Sequence, residues 1–210
     1  MTPLRIKICG VTNVKDARAC AELGADMIGF NFYPKSPRHI EPEIARQIVE
    51  TLPRSARAVG VFVEASTDEI RNTAKRAGIE SVQLHGDFSP EICRELAGEF
   101  RVIRAFRTEA RFQPEDASAF PDCDVLLDAH HVELRGGTGL TCDWSAARAT
   151  LPFARFLILS GGLNAQNVAH AIATVAPHAV DVCSGVESAP GLKDYRAMEK
   201  FIAAVRSAES

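Results

Sequence analysis

Short, nearly unbroken apolar runs recur along this chain, and amphipathic segments separate them from one end to the other. The runs read LRIKI, DMIGFNF, RAVGVFV, SVQL, RVIRAF, DVLLD, RFLILS and AVDVCS. A strand with one wet face alternates apolar and polar residues. A strand covered on both faces carries little polar surface, so these runs suit a parallel sheet with helices packed over it. The intervening segments VKDARACAELGA, EPEIARQIVETL, STDEIRNTAKRAG, SPEICRELAG, SAARATL and NAQNVAHAIATVA place apolar residues at helical spacing, and many open with a capping residue. RFQPEDASAF, after the fifth run, is a weak helix, and LKDYRAMEKFIAAVRSA closes the chain as a long amphipathic one.

Eight βα units fit either an open doubly wound sheet or a closed (β/α)8 barrel. Even spacing without an inserted segment favours the α/β barrel (the TIM barrel), although 210 residues is short for it. No linker rich in Pro, Gly or Ser divides the chain, so residues 1–210 are expected to form a single domain. A formal net charge of −3 offers no electrostatic footprint for nucleic acid, and no apolar stretch approaches the length of a membrane span. Six cysteines without a CxxC pair, and no signal-like run at the N-terminus, predict reduced thiols and a cytoplasmic location.

In such a barrel the site lies where the strands end. Those positions hold Cys9, Asn31, Glu64, His85, Arg107, Asp128, the SGG of 160–162 and the CSG of 183–185. The last two, at strands seven and eight, are glycine-rich. Their backbone N–H groups, with a helix N-terminus behind them, suit a phosphate, although single glycines also simply turn a chain. Cys9 shares a strand face with Lys7, and Asp128 with Leu126. If both faces point inward, an acid and a base stand across the mouth from one another. Taken alone, Cys9 reads first as a packed small residue, and a loop cap is the lesser reading of Asp128. The loop YPKSPRHI carries Lys35, Arg38 and His39; a guanidinium there could pair a carboxylate, or the loop could be merely solvated. The long connection AHHVELRGGTGLTCDW has glycines that could hinge a lid. Its His130–His131 pair lacks ligands at metal-binding spacing and is expected in solvent, so no metal is anticipated.

In order along the chain, KICGVT, ELGADMIGFNFYPKSPR, VGVFV, VQLHGD, LLDA, GGTGLTCDW, LSGGLNAQNV and DVCSGVESAPGLKD resemble the phosphoribosylanthranilate isomerase family from about residue 5 to about residue 201. The resemblance implies a cofactor-free barrel enzyme of tryptophan biosynthesis. Its substrate would be a phosphorylated small molecule, with no nucleic acid or membrane partner, in a monomer or homodimer. It implies Cys9 as general base, Asp128 as general acid, Arg38 on the anthranilate portion, and Gly161, Gly162, Ser184 and Gly185 around the phosphate. Cys183 stands where the family commonly has a second serine, which puts any side-chain role there in doubt. A thiol needs a cation to ionise readily, and Lys7 is the candidate.

Other small phosphate-binding barrels are the rival readings. A histidine-pathway isomerase would carry a second glycine-rich cradle at strands three and four, where this chain reads VFVEAS and VQLHGD. A pentose-phosphate epimerase would want metal-ligating histidines at strand ends. A non-catalytic sugar-phosphate sensor would keep the cradle and lose the acid–base pair.

Overall fold

The computed structural model describes residues 3–108, 112–128 and 144–209. Its eight parallel strands are β1 (Arg5–Ile8), β2 (Met27–Asn31), β3 (Arg57–Val63), β4 (Ser81–His85), β5 (Arg101–Arg107), β6 (Asp124–Asp128), β7 (Leu157–Ser160) and β8 (Ala179–Val182). They close into a barrel in chain order, and β8 returns to β1 with the register Arg5↔Ala179 through Ile8↔Val182. The helices are α1 (Val14–Glu22), α2 (Pro42–Val49), α3 (Thr67–Ala77), α4 (Pro90–Ala97), α5 (Ser145–Thr150), α6 (Val168–Val175) and α7 (Tyr195–Ser207). This is the (β/α)8 barrel that the alternation of apolar and amphipathic segments predicts.

Alternation along each strand divides the apolar residues into two cores. Ile6 and Ile8 of β1, Ile28 and Phe30 of β2, and Leu127 of β6 point outward and pack under the helices, where Phe201 of α7 is also buried. Met27, Val59, Ile103, Leu126, Ile158 and Ala179 fill the barrel interior. Nearer the C-terminal ends the interior turns polar, with Lys7, Gln83 and Asp181 all buried. That apolar plug under a polar rim leaves one end of the barrel able to carry chemistry.

Helix starts follow local chemistry. Before α3, Ser66 accepts from the Glu69 N–H while the Glu69 carboxylate accepts from the Ser66 N–H at 2.8 Å, a reciprocal cap. Two segments differ from the sequence reading. The weak fifth helix is a 3-10 turn over Pro114–Ala119, too short and polar to cover the sheet as an α-helix does; Phe120 beyond it packs on Phe106 at 5.4 Å instead. The closing helix begins at Tyr195, because Asp194 caps it by accepting from the Ala197 N–H. The residues before it form a small antiparallel hairpin, β9 (Glu187–Ala189) with β10 (Leu192–Lys193).

Truncating the buried Phe201 to alanine leaves a cavity between α7 and the sheet. Urea unfolding is expected to show a loss of about 3–5 kcal/mol for Phe201→Ala, against about 1 kcal/mol for Ser66→Ala.

Candidate active site

The polar rim is built on β1 and β8. Lys7 is fully buried, and its ammonium donates to Asp181 Oδ1 at 2.9 Å. The other Asp181 oxygen accepts from Ser160 Oγ at 3.1 Å. Burial alone would push the Lys7 ammonium toward neutrality, but the Asp181 carboxylate and the Cys9 sulfur outweigh it and hold the charge on. Cys9 follows Lys7 on the same face of the strand path. Gly29 on neighbouring β2 gives the thiol its space, since a Cβ there would lie 2.7 Å from the Cys9 sulfur.

The Cys9 thiol is lowered to about 6. The neighbouring Cys183 thiol is the chief cause; burial opposes it, while the Lys7 and Lys193 charges assist. Cys183 is correspondingly pushed up, by the neighbouring Cys9 sulfur and by burial, and its thiol donates to Glu187 Oε1 at 3.9 Å. Of the two, Cys9 is the thiol favoured to ionise and Cys183 the one favoured to keep its proton.

Asp128 ends β6, in register with Arg107 on β5 and Ser160 on β7. It leaves the strand on the side of Leu126, which lies in the barrel interior, and is half-buried. Its backbone carbonyl accepts from the Thr108 N–H at 3.2 Å, which fixes the strand end. The structure therefore brings Cys9 and Asp128 to the inner face of the same rim, from strands one and six.

Of the glycines expected around a phosphate, Gly161 and Gly162 turn the chain after β7 with φ of 97° and 64°. Gly185 lies in the 3-10 turn Ser184–Val186 after β8, where a Cβ would stand 2.0 Å from the Leu163 carbonyl oxygen. Only glycine permits that contact, and it draws loops seven and eight together. Ser184 is exposed beside it. Loop seven is braced by two asparagines: Asn164 Oδ1 accepts from the Gln166 N–H and Asn167 Oδ1 from the Asn164 N–H, both at 2.9 Å.

Arg38 lies across Gly10, next along from Cys9, and its guanidinium grips Glu187 with two nitrogens, Nε at 2.9 Å from Oε1 and Nη2 at 2.6 Å from Oε2. Lys193 Nζ donates to Glu187 at 2.9 Å and to the Cys9 carbonyl at 2.5 Å. Burial pushes the Glu187 carboxyl up, but the Arg38 and Lys193 hydrogen bonds prevail and hold it below the usual carboxylate range. Arg38 is thus already paired. Asp181, Glu187 and Lys193 are the residues that reading the strand ends misses. Asp181 had a signal, as the one charge in the run AVDV; Glu187 and Lys193 meet only through the hairpin.

His85, at the end of β4, is lowered to about 4 by burial and by the Lys7, Arg107 and Arg104 charges, so it is a neutral imidazole. It faces a cavity of about 400 Å³ shared with Glu64, Arg107 and Asp116. A larger cavity, about 750 Å³, opens at the opposite end of the barrel between Arg5, Phe156 and Pro177, away from the acid–base pair. Lys35 is exposed, and His39 lies 4.0 Å from Glu41. The histidine pair 130–131 and the lid expected over 129–143 lie outside the described residues. Among the described residues, no group of three or more metal-ligating side chains could hold an ion.

The chain matches the family model for N-(5'-phosphoribosyl)anthranilate (PRA) isomerase over residues 6–204. It is 46% identical over 202 residues to the N-(5'-phosphoribosyl)anthranilate isomerase of Geobacter sp. strain M21, covering 95% of this chain and 96% of that protein. A crystal structure of phosphoribosyl anthranilate isomerase from Thermotoga maritima superposes with a TM-score of 0.89 at 43% identity, covering 97% of this chain and 99% of that one. A phosphoribosyl anthranilate isomerase in complex with reduced 1-(o-carboxyphenylamino)-1-deoxyribulose 5-phosphate superposes with a TM-score of 0.87 at 42% identity, over 97% and 99% of the two chains.

Iodoacetamide reacts with thiolate, so its rate at Cys9 is expected to rise with pH to a midpoint near about 6 and then level off. Because the thiol titrates lower folded than unfolded, the stability it contributes is present above its ordinary value of 9.0 and is lost as pH falls through about 6. Removing both buried charges with Lys7→Met and Asp181→Asn is expected to move the alkylation midpoint up.

Proposed function

The chain belongs to the N-(5'-phosphoribosyl)anthranilate isomerase family, isomerases of tryptophan biosynthesis, and we propose that it performs the rearrangement with Cys9 as general base and Asp128 as general acid. The substrate is N-(5-phosphoribosyl)anthranilate and the product 1-(2-carboxyphenylamino)-1-deoxyribulose 5-phosphate. The observation that carries this reading is the setting of Cys9, two residues beyond the buried Lys7–Asp181 ion pair on the inner rim that also carries Asp128.

Opening the furanose ring breaks the bond from C1 to the ring oxygen. The Asp128 carboxyl delivers a proton to that oxygen while the anilino nitrogen lone pair forms an iminium. The iminium makes the C2 proton acidic, and the Cys9 thiolate removes it. The enolamine then loses its hydroxyl proton and gains one at C1, which leaves the ketone. C2 is oxidised as C1 is reduced, so the electrons stay within the substrate and no external redox partner enters. Lys7 keeps the thiol ionised and Asp181 keeps Lys7 in place. The paired loops at Gly161, Gly162, Ser184 and Gly185 hold the 5-phosphate with backbone N–H groups, for which a thiol at position 183 is no handicap. Arg38 meets the anthranilate carboxylate. The protein works as one domain in the cytoplasm. Among the described residues no helix is long and apolar enough to cross a membrane.

Freshly prepared phosphoribosylanthranilate is fluorescent, and its decay on adding the protein measures turnover. Cys9→Ser and Asp128→Asn are each expected to lower kcat by about 10²–10⁴ while product affinity persists, the pattern of lost proton transfer. Loss of product affinity with kcat preserved would recast both as binding groups.

A further inference from the structure

We propose that Cys9 and Cys183 form a reversible oxidative-modification site at the barrel rim, closing to a disulfide when the protein meets a peroxide. The two residues come next after the register pair Ile8↔Val182, and the Cys9 N–H donates to the Val182 carbonyl at 2.9 Å, so the strands are still joined there. Neighbouring strands run about 4.8 Å apart, within the Cα separation that a disulfide spans. Cys9 lies two positions beyond the buried Lys7 and Cys183 two beyond the buried Asp181, so both start from the inner face, and each thiol is the chief influence on the other's titration. Cys183 is half-buried, and Cys9 beside it, whose thiol Cys183 and the Lys7 and Lys193 charges lower, is the more nucleophilic of the pair.

The chemistry balances in two steps. The Cys9 thiolate attacks one peroxide oxygen, the O–O bond breaks, and the other oxygen leaves as water after taking a proton; Cys9 becomes a sulfenic acid. The Cys183 sulfur then attacks the Cys9 sulfur, its proton leaves with the departing hydroxyl as a second water, and the S–S bond forms. Two thiols lose two electrons in all and the peroxide gains them. A dithiol reverses the step by exchange. A serine at position 183 could not complete the second step and would leave the Cys9 sulfenic acid open to further, irreversible oxidation.

The other described cysteines supply an internal comparison. Cys93 and Cys123 also influence one another's titration, but both are buried between α4 and the sheet. Cys20 is buried against the Met198 sulfur at 3.4 Å, and burial pushes its thiol up to about 12. Neither environment is at the rim.

The test treats the purified protein with a small excess of hydrogen peroxide, blocks remaining thiols under denaturing conditions, and maps peptides without reduction. A linked Cys9–Cys183 peptide is expected as the first product, with a rate loss on the order of a hundredfold or more that dithiothreitol restores, as removal of an acid–base group predicts. Cys183→Ser, measured against its own untreated rate, is expected to lose activity without a linked peptide and to stay inactive after dithiothreitol, with two oxygens added at Cys9. Three results overturn the proposal: no oxidation at Cys9, a sulfinic acid at Cys9 in the wild-type chain without linkage, or earlier linkage of Cys93 to Cys123 or of Cys9 to Cys142. Peptide mapping does not depend on turnover, so it separates failure here from failure of the catalytic roles.

Discussion

Lys7 carries a positive charge inside the barrel with no access to water, and the rim is arranged around neutralising it. An isolated buried ammonium costs several kcal/mol, so Asp181 is an obligatory partner rather than an optional one. The nearby side chains continue the balance. Lys7, Lys193 and Arg38 are the cations, and Asp181, Glu187 and the Cys9 thiolate are the anions set against them. Proton affinity at Cys9 is therefore a property of the whole cluster. An added proton there would leave the ammonium groups with one fewer anion, which favours protonation at Cys183 instead.

The same cluster shows how far a sequence can be read. The strands were legible because a doubly covered strand leaves a trace in composition, and Lys7 stood out in RIKI as a charge between apolar neighbours. Asp128 was legible for a related reason, as a carboxylate that ends an apolar run. Asp181 carried the same mark within AVDV, but reading only strand ends passes over a charge one residue short of the end. Glu187 and Lys193 left no local mark. They meet because a hairpin folds back after β8, held by the Thr12 hydroxyl donating to the Gly191 carbonyl, a contact between residues far apart in sequence. The fifth helix was overstated because RFQPEDASAF has few apolar positions at helical spacing, and a 3-10 turn with one aromatic cluster suffices to cover β5. Cys183 reads in sequence as a weak hydrogen-bond partner for a ligand; in the structure its sulfur meets Glu187 and Lys193 of the same hairpin.

Rigidity at the two glycine-rich loops comes from contacts that a sequence conveys only in part. Glycines advertise close approach, yet nothing in SGG or CSG states that the two loops touch each other. Gly185 against the Leu163 carbonyl makes them one unit, and the Asn164–Asn167 pair spends the loop's own polar groups internally. A cradle that is already braced loses little conformational entropy on receiving an anion.

Arg38 sits differently, and its pairing with Glu187 sets the order of events. An internal carboxylate competes at a high effective concentration, so stray anions in solution do not displace it. A ligand carboxylate succeeds only if it arrives with comparable local concentration, which a molecule already tethered by its phosphate some distance away possesses. The guanidinium thus behaves as a second lock, opened by exchange of one carboxylate for another, and recognition of the two ends of a ligand becomes sequential rather than independent.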